Sequence, residues 1–229
     1  MHITENTMGV LKNFATINQS LFIRKTDGGK KVITTLSGAE NIIAKATVDE
    51  SFPQDIAIYD LNEFLNTLSL FNEPQLGFDS DSFMAIKEKN GRTSCKYMYA
   101  PVEIMKKAPE DGLKMPSVDV EFVLSEANLA QIVKASTVMG LEDVTIKAEG
   151  TEIVLAIHDK KNPTSNTFDL VVGECAEGTS FNVDFKIDNF KFVEDGYKVE
   201  ISTKMLSHFV GLVQGMEYWV AIESSSTFG

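Results

Sequence analysis

The sequence predicts an α+β chain of two similar domains, each built from β-sheets covered on one side by two helices. Three observations predict it. An amphipathic helical run opens each half of the chain. Short apolar stretches punctuated by turn residues follow each run. A strand that runs into a short helix then recurs, Asp55–Phe64 in the first half and Val183–Phe192 in the second. A length of 229 residues with 43% hydrophobic and 24% charged side chains supplies enough apolar material for two cores.

Taken in order, residues 8–18 place Val10, Leu11, Phe14 and Ile17 at helical spacing, with Lys12, Asn13 and Thr16 toward another face. Leu21–Lys25 and Lys31–Leu36, joined through Asp27-Gly28-Gly29, read as a hairpin. Asp60 and Glu63 have capping-box spacing, and Leu61, Phe64, Leu65 and Leu68 give the next helix its apolar stripe. Alternating runs at Ser82–Lys87 and Thr93–Tyr99 complete the first half. Residues 100–117 hold three prolines and a glycine, which break helix and strand alike. The predicted layout is therefore a domain over 1–100, a connector over 101–117 and a second domain over 118–229.

In the second half Ser125 caps a helix with Leu129, Ile132, Val133 and Ser136 on one stripe. Asp143–Ala148 and Ile153–His158 flank Glu149-Gly150 as a hairpin, and strands follow at Tyr197–Thr203, Leu206–Val213 and Glu217–Ile222. The exposed sheet edges expected to meet other copies are Thr93–Tyr99 and Thr167–Val172.

Chemistry is sparse. Gly28-Gly29 matches neither a P-loop nor a dinucleotide fingerprint. His2, His158 and His208 are isolated from any nucleophile motif, and Cys95 and Cys175 form no metal-ligand pattern. No cofactor, metal site or catalytic residue is predicted. The start of the chain lacks a signal-peptide pattern and no run reaches membrane-spanning length, so a cytoplasmic protein is expected. The net charge of −12 is uneven. Residues 1–110 carry 12 Lys and Arg against 14 Asp and Glu, a net −2, and residues 111–229 carry 9 against 19, a net −10. From residues alone, an acidic non-enzymatic binding or structural protein such as a DNA mimic stays open, as does a metal-dependent nuclease with scattered ligands.

Leu11–Asn18 together with Ile56–Leu65 closely resembles the sliding clamps of T-even-type bacteriophages, and the repeated domain plan with its proline-bearing connector extends the likeness over the whole chain. The resemblance implies a homotrimer forming a six-domain ring that encircles duplex DNA, tethers the replicative DNA polymerase and confers processivity in DNA replication without catalysing a reaction. It implies an ATP-driven clamp loader as partner, and late-transcription factors as further ones. Lys12, Lys134 and Lys191, with Asn13 and Lys186, are then expected to face DNA. Met105, Leu113, Met115, Met205, Leu206, Trp219 and Ile222 are expected to form a groove for apolar partner peptides. Such a ring needs mobility more than affinity, so weak phosphate contacts accord with an acidic chain. Arg24, Lys25, Lys30 and Lys31 are expected to add positive charge at the ring's rim.

Overall fold

The computed structural model describes residues 1–229, which divide into two compact units, Met1–Gly112 and Leu113–Gly229. In the first unit, helix α1 (Glu5–Ile17) begins where the Thr4 hydroxyl accepts a hydrogen bond from the Thr7 amide at 3.3 Å. Buried Glu50 fixes the same end, receiving the Thr4 amide and the Thr7 hydroxyl. A carboxylate at this end also suits the helix dipole. Val10, Leu11, Phe14 and Ile17 form the buried face, as their spacing predicts.

Strands β1 (Leu21–Ile23), β2 (Val32–Leu36), β3 (Ile42–Thr47) and β4 (Ile56–Ile58) follow. They correct the predicted hairpin, because β1 pairs with β4, Leu21 opposite Ile58, while β2 pairs with β3, Val32 opposite Thr47. The Gly28-Gly29 turn is present, with both φ angles positive. However, β1 is apolar and buried on both faces, so it satisfies itself against the equally buried β4.

Helix α2 (Leu61–Leu68) starts at Asp60, whose carboxylate accepts the Glu63 amide at 2.9 Å. It buries Leu61, Phe64 and Leu68, with Leu65 half-buried at the margin. Strands β5 (Pro74–Gly77), β6 (Phe83–Glu88) and β7 (Ser94–Met98) then form an antiparallel sheet in that order. Tyr97 packs edge-on against Phe64, ring centres 5.1 Å apart, and donates its hydroxyl to the Asp60 carbonyl at 3.1 Å. Burial, with Glu63 and Asp60 nearby, pushes the Tyr97 phenol up to about 12. A one-turn 3-10 helix at Val102–Ile104 begins the proline-bearing stretch.

In the second unit β8 (Val120–Leu124) leads to α3 (Glu126–Met139), capped by Ser125 and ended by Gly140 in the left-handed conformation. Leu129, Ile132, Ala135 and Ser136 face inward. Val133 does not share that face as predicted: it sits at the stripe's edge and is exposed, with Ala135 completing the buried row.

Strands β9 (Asp143–Glu149), β10 (Glu152–His158), β11 (Phe168–Glu174) and β12 (Phe181–Lys186) come next. Beyond a second 3-10 turn at Ile187–Asn189 lie β13 (Tyr197–Ser202), β14 (Leu206–Gly211), β15 (Met216–Ala221) and β16 (Thr227–Phe228). One sheet has the order β11-β10-β9-β12-β16, and β15, β14, β13 and β8 lie side by side in another.

The second helix expected near residues 188–192 is only that 3-10 turn. Phe190 and Phe192 explain why. Both enter an aromatic cluster, Phe192 at 4.7 Å from both Phe209 and Tyr218 and Phe190 at 5.7 Å from Phe209. Residues two apart point to nearly opposite sides of a helix but to the same side of an extended chain. The molecule accordingly carries three α-helices, two in the first unit and one in the second.

Candidate functional site

On α1, Lys12 is exposed beside half-buried Asn13, on the side away from the buried stripe. Lys134 is exposed on α3 in the same way, with Glu126 at the first position of that helix. Lys191 is half-buried in the stretch after the 3-10 turn. Lys186 is already engaged: its ammonium is ion-paired with buried Asp143, whose hydrogen bond and charge raise the Lys186 pKa. Of the five sequence-predicted side chains, Lys12 and Lys134 are thus the two exposed cations. Helix α2 adds none, since it contains no Lys or Arg.

The basic side chains expected at a rim are largely committed within the first unit. Arg24 donates to the Ala108 carbonyl at 2.6 Å and its guanidinium lies 5.8 Å from the Phe22 ring centre. Lys30 pairs with Asp111 and, at 3.6 Å, with Glu110. Lys31 donates to the Asp49 carbonyl, and Lys25 is exposed.

The residues proposed for a groove fall into distinct settings. Met105 is buried in the first unit against Phe22 and Ala57, so it staples the connector to that unit's core. Leu113 is exposed and Met115 half-buried. In the second unit, Met205 adopts φ 63°, and its carbonyl accepts the Ile222 amide at 3.3 Å. Leu206 pairs across from Ala221, and Trp219 across from His208. Met205, Leu206, Trp219 and Ile222 therefore cluster at the end of the β14–β15 pair, Trp219 and Ile222 buried and the other two half-buried.

Two features escape pattern reading because they arise from strand pairing. First, a row of charges crosses β8, β13, β14 and β15. Lys198 bridges Glu121 at 2.9 Å and Glu200 at 2.8 Å. His208 sits between Glu200 and Glu217, each 3.1 Å from a ring nitrogen, and stacks on Trp219 at 4.4 Å. The Lys198 hydrogen bond, acting against burial and joined by His208, holds Glu200 below the ordinary carboxylate range. Buried Trp219 thus lies against this charged row through the stacked His208 ring.

Second, in one sheet of each unit a short segment covers one edge strand and leaves the opposite edge strand open. In the first, the outer side of β5 is occupied by residues 1–2, with the Leu76 amide donating to the Met1 carbonyl at 2.7 Å and His2 bridged to Gln75, whereas β7 is unpaired on its outer side. In the second, β16 covers β12 and β11 is unpaired on its outer side. Strand β7 lies within the expected stretch Thr93–Tyr99, whereas β11 overlaps the expected Thr167–Val172 and runs on to Glu174.

No group of three or more His, Cys, Asp or Glu side chains is placed to hold a metal ion. No helix is long and apolar enough to cross a membrane.

This architecture is the two-domain sliding-clamp fold. The chain superposes on the A. fulgidus PCNA solved with the C-terminal region of FEN-1, with a TM-score of 0.71 and 13% identity over 98% of each chain. A Helicobacter pylori beta clamp bound to a DNA ligase peptide matches with a TM-score of 0.72 and 9% identity, over 97% of this chain and 65% of the clamp. Family models agree in sequence: residues 4–88 match the DNA polymerase processivity factor family and residues 121–224 the C-terminal gp45 sliding clamp family. The sliding clamp of Vibrio phage KVP40 is 34% identical over 98% of this chain and 100% of its own length, and that of Enterobacteria phage T4 is 26% identical over 99% of each. The chain belongs to the phage sliding-clamp family, a non-catalytic family of DNA polymerase processivity factors.

Proposed function

We propose that three copies of this chain close into a ring around duplex DNA, and that the ring holds the replicative polymerase on its template by topological linkage. The whole-length similarity to a phage sliding clamp is the observation that carries the reading. The open outer sides of β7 and β11 support the assembly, because β7 of one copy and β11 of the next can continue one sheet into another while β5 and β12 stay covered. Repeated head to tail, such a contact closes a ring.

Within this ring Lys12 and Lys134 are the leading DNA-facing residues, with Asn13 and Lys191 beside them and Lys186 acting chiefly through Asp143. The three helices carry only two cations, Lys12 and Lys134, and with a net charge of −12 this favours sliding over tight binding. Residues 101–117 form the connector between domains 1–100 and 118–229. An ATP-driven loader opens the ring, and the polymerase docks a short apolar peptide at the Met205, Leu206, Trp219 and Ile222 cluster, with Leu113 and Met115 from the connector. The structural relatives solved with a FEN-1 region and a DNA ligase peptide support such docking. Late-transcription factors are further candidates for the same surface, and the host cytoplasm is the expected place of action.

The test is DNA synthesis on a long primed template with loader, ATP and polymerase. The K12E/K134E double variant should shorten products severalfold while the native mass of the assembly stays unchanged. Full-length products from that variant would remove both lysines from the DNA face.

A further inference from the structure

The two cysteines lie at the open edges formed by β7 and β11, Cys95 on β7 and Cys175 directly after β11, and both are half-buried. We infer that in the assembled ring Cys95 of one copy stands opposite Cys175 of the next, so that each subunit boundary carries a thiol pair able to close into a disulfide. The inference rests on the trimeric reading above, and it fixes the register of the contact.

The faces of the two edge strands set which side chains can meet across the contact. On β7, Cys95 shares the inward face with buried Tyr97, and Lys96 and Met98 point outward. On β11 a bulge shifts the pattern: Ile153 of β10 pairs with Gly173 and Val154 with Val171, leaving Val172 as the extra residue. A side chain at Gly173 would meet Phe122 and Ile153, so that position faces inward, and Cys175, two residues on, faces with it. Val171 and Glu174 point outward.

The strand pairings within each unit are antiparallel, and neighbouring strands must keep inward residues beside inward ones. Three registers then remain, with Lys96 opposite Glu174, Val171 or Asp169. The second sets Lys96 against an apolar side chain and Met98 against Asp169. The third matches Lys96 with Asp169 but leaves Met98 opposite Thr167 and Val171 opposite Ser94.

The first register alone satisfies both chemistries. It pairs Lys96 with Glu174 and brings Met98, 62% exposed, against Val171, 50% exposed. It also places Cys95 opposite Cys175. Directly opposed residues of an antiparallel pair have Cα atoms about 4.5–5.5 Å apart, inside the roughly 4.4–6.8 Å that a disulfide spans.

In a reducing compartment the thiols remain separate. A thiol oxidant such as diamide, a diazene, takes two electrons and two protons from each pair and becomes the hydrazine as the S–S bond forms. Three such bonds would make a ring that cannot be opened without reduction.

Native mass spectrometry of the untreated protein first establishes the trimer, and its absence would overturn the ring reading itself. Diamide treatment followed by denaturing, non-reducing electrophoresis then tests the thiol pair. The wild type should give covalent trimers that dithiothreitol dissolves, and C95S and C175S should each stay monomeric. An equimolar mixture of the two variants should stop at dimers. The K96E variant should lower the bonded fraction severalfold, and K96E/E174K should restore it. Trimers in native spectra without covalent products, or dimers formed by either single variant alone, would overturn the register.

Discussion

Replacing Asp184 by alanine removes the carboxylate that ties the end of the chain to the second unit's sheet. Asp184 is buried in β12 and accepts the Thr145 hydroxyl at 2.6 Å, the Ser225 hydroxyl at 2.7 Å and the Lys160 ammonium at 2.5 Å. Its amide donates to the Ser226 hydroxyl at 2.8 Å, just before the strand β16 that covers the edge of β12. Burial alone would raise its pKa, but the hydrogen bonds from Lys160, Thr145 and Ser225 prevail and hold it below the usual carboxylate range.

Hydrogen bonds to a charged group contribute about 1.5–3 kcal/mol each and do not add fully. The abandoned Lys160 side chain is 30% exposed and regains part of its hydration. D184A should therefore cost about 3 kcal/mol in all, which for a chain of this length lowers Tm by roughly 10 °C. D184N keeps an acceptor for Thr145 and should cost about half as much. Urea unfolding followed through Trp219, the single tryptophan, reports directly on this unit. A D184A cost under about 1 kcal/mol would refute the assignment of Asp184 as the hub. The K160A/D184A double-mutant cycle isolates the ion pair from the hydroxyl bonds.

Other consequences follow from the same contacts. Asp143 and Asp184 both have folded-state pKa values lowered against burial, by Lys186 and by Lys160 with the two hydroxyls respectively. Their stabilisation is complete above the unfolded carboxylate value of about 3.9 and is lost as pH falls through the lower folded values. Urea midpoints should thus be flat from about pH 7 to 5 and fall below about pH 4, less steeply in D184N. M105A should destabilise the first unit by about 2–3 kcal/mol through its contacts with Phe22 and Ala57; an unchanged thermal midpoint would return Met105 to the groove. Y97F removes the bond to the Asp60 carbonyl and should cost about 1 kcal/mol while eliminating the phenol that ionises near pH 12, as absorbance titration at 295 nm would show.

The local elements were legible in the sequence where one face alone decides them. Thr4 escaped notice as a cap, but Ser125 and Asp60 announce theirs, and the Val10, Leu11, Phe14, Ile17 row has one helical solution. Pairing between distant segments was not legible. Nothing in Leu21–Ile23 specifies Ile56–Ile58 as its partner over the nearer Val32–Leu36, because a strand buried on both faces lacks the alternation that sets a register. The likeness between Val183–Phe192 and Asp55–Phe64 misled for a related reason: the aromatic cluster recruits Phe190 and Phe192 and overrides local helix formation. For the candidate site, Lys12 and Lys134 could be read from helix faces. The commitments of Lys186 to Asp143 and Lys30 to Asp111 depend on contacts 43 and 81 residues apart.

The central claim is a ring with a hole for duplex DNA. Electron microscopy of the purified protein, lightly cross-linked at high concentration so that dilution does not dissociate it, tests that claim most directly. The account predicts trimeric rings of six similar lobes around an opening wide enough for the duplex. Monomers or solid particles under every cross-linking condition would contradict it.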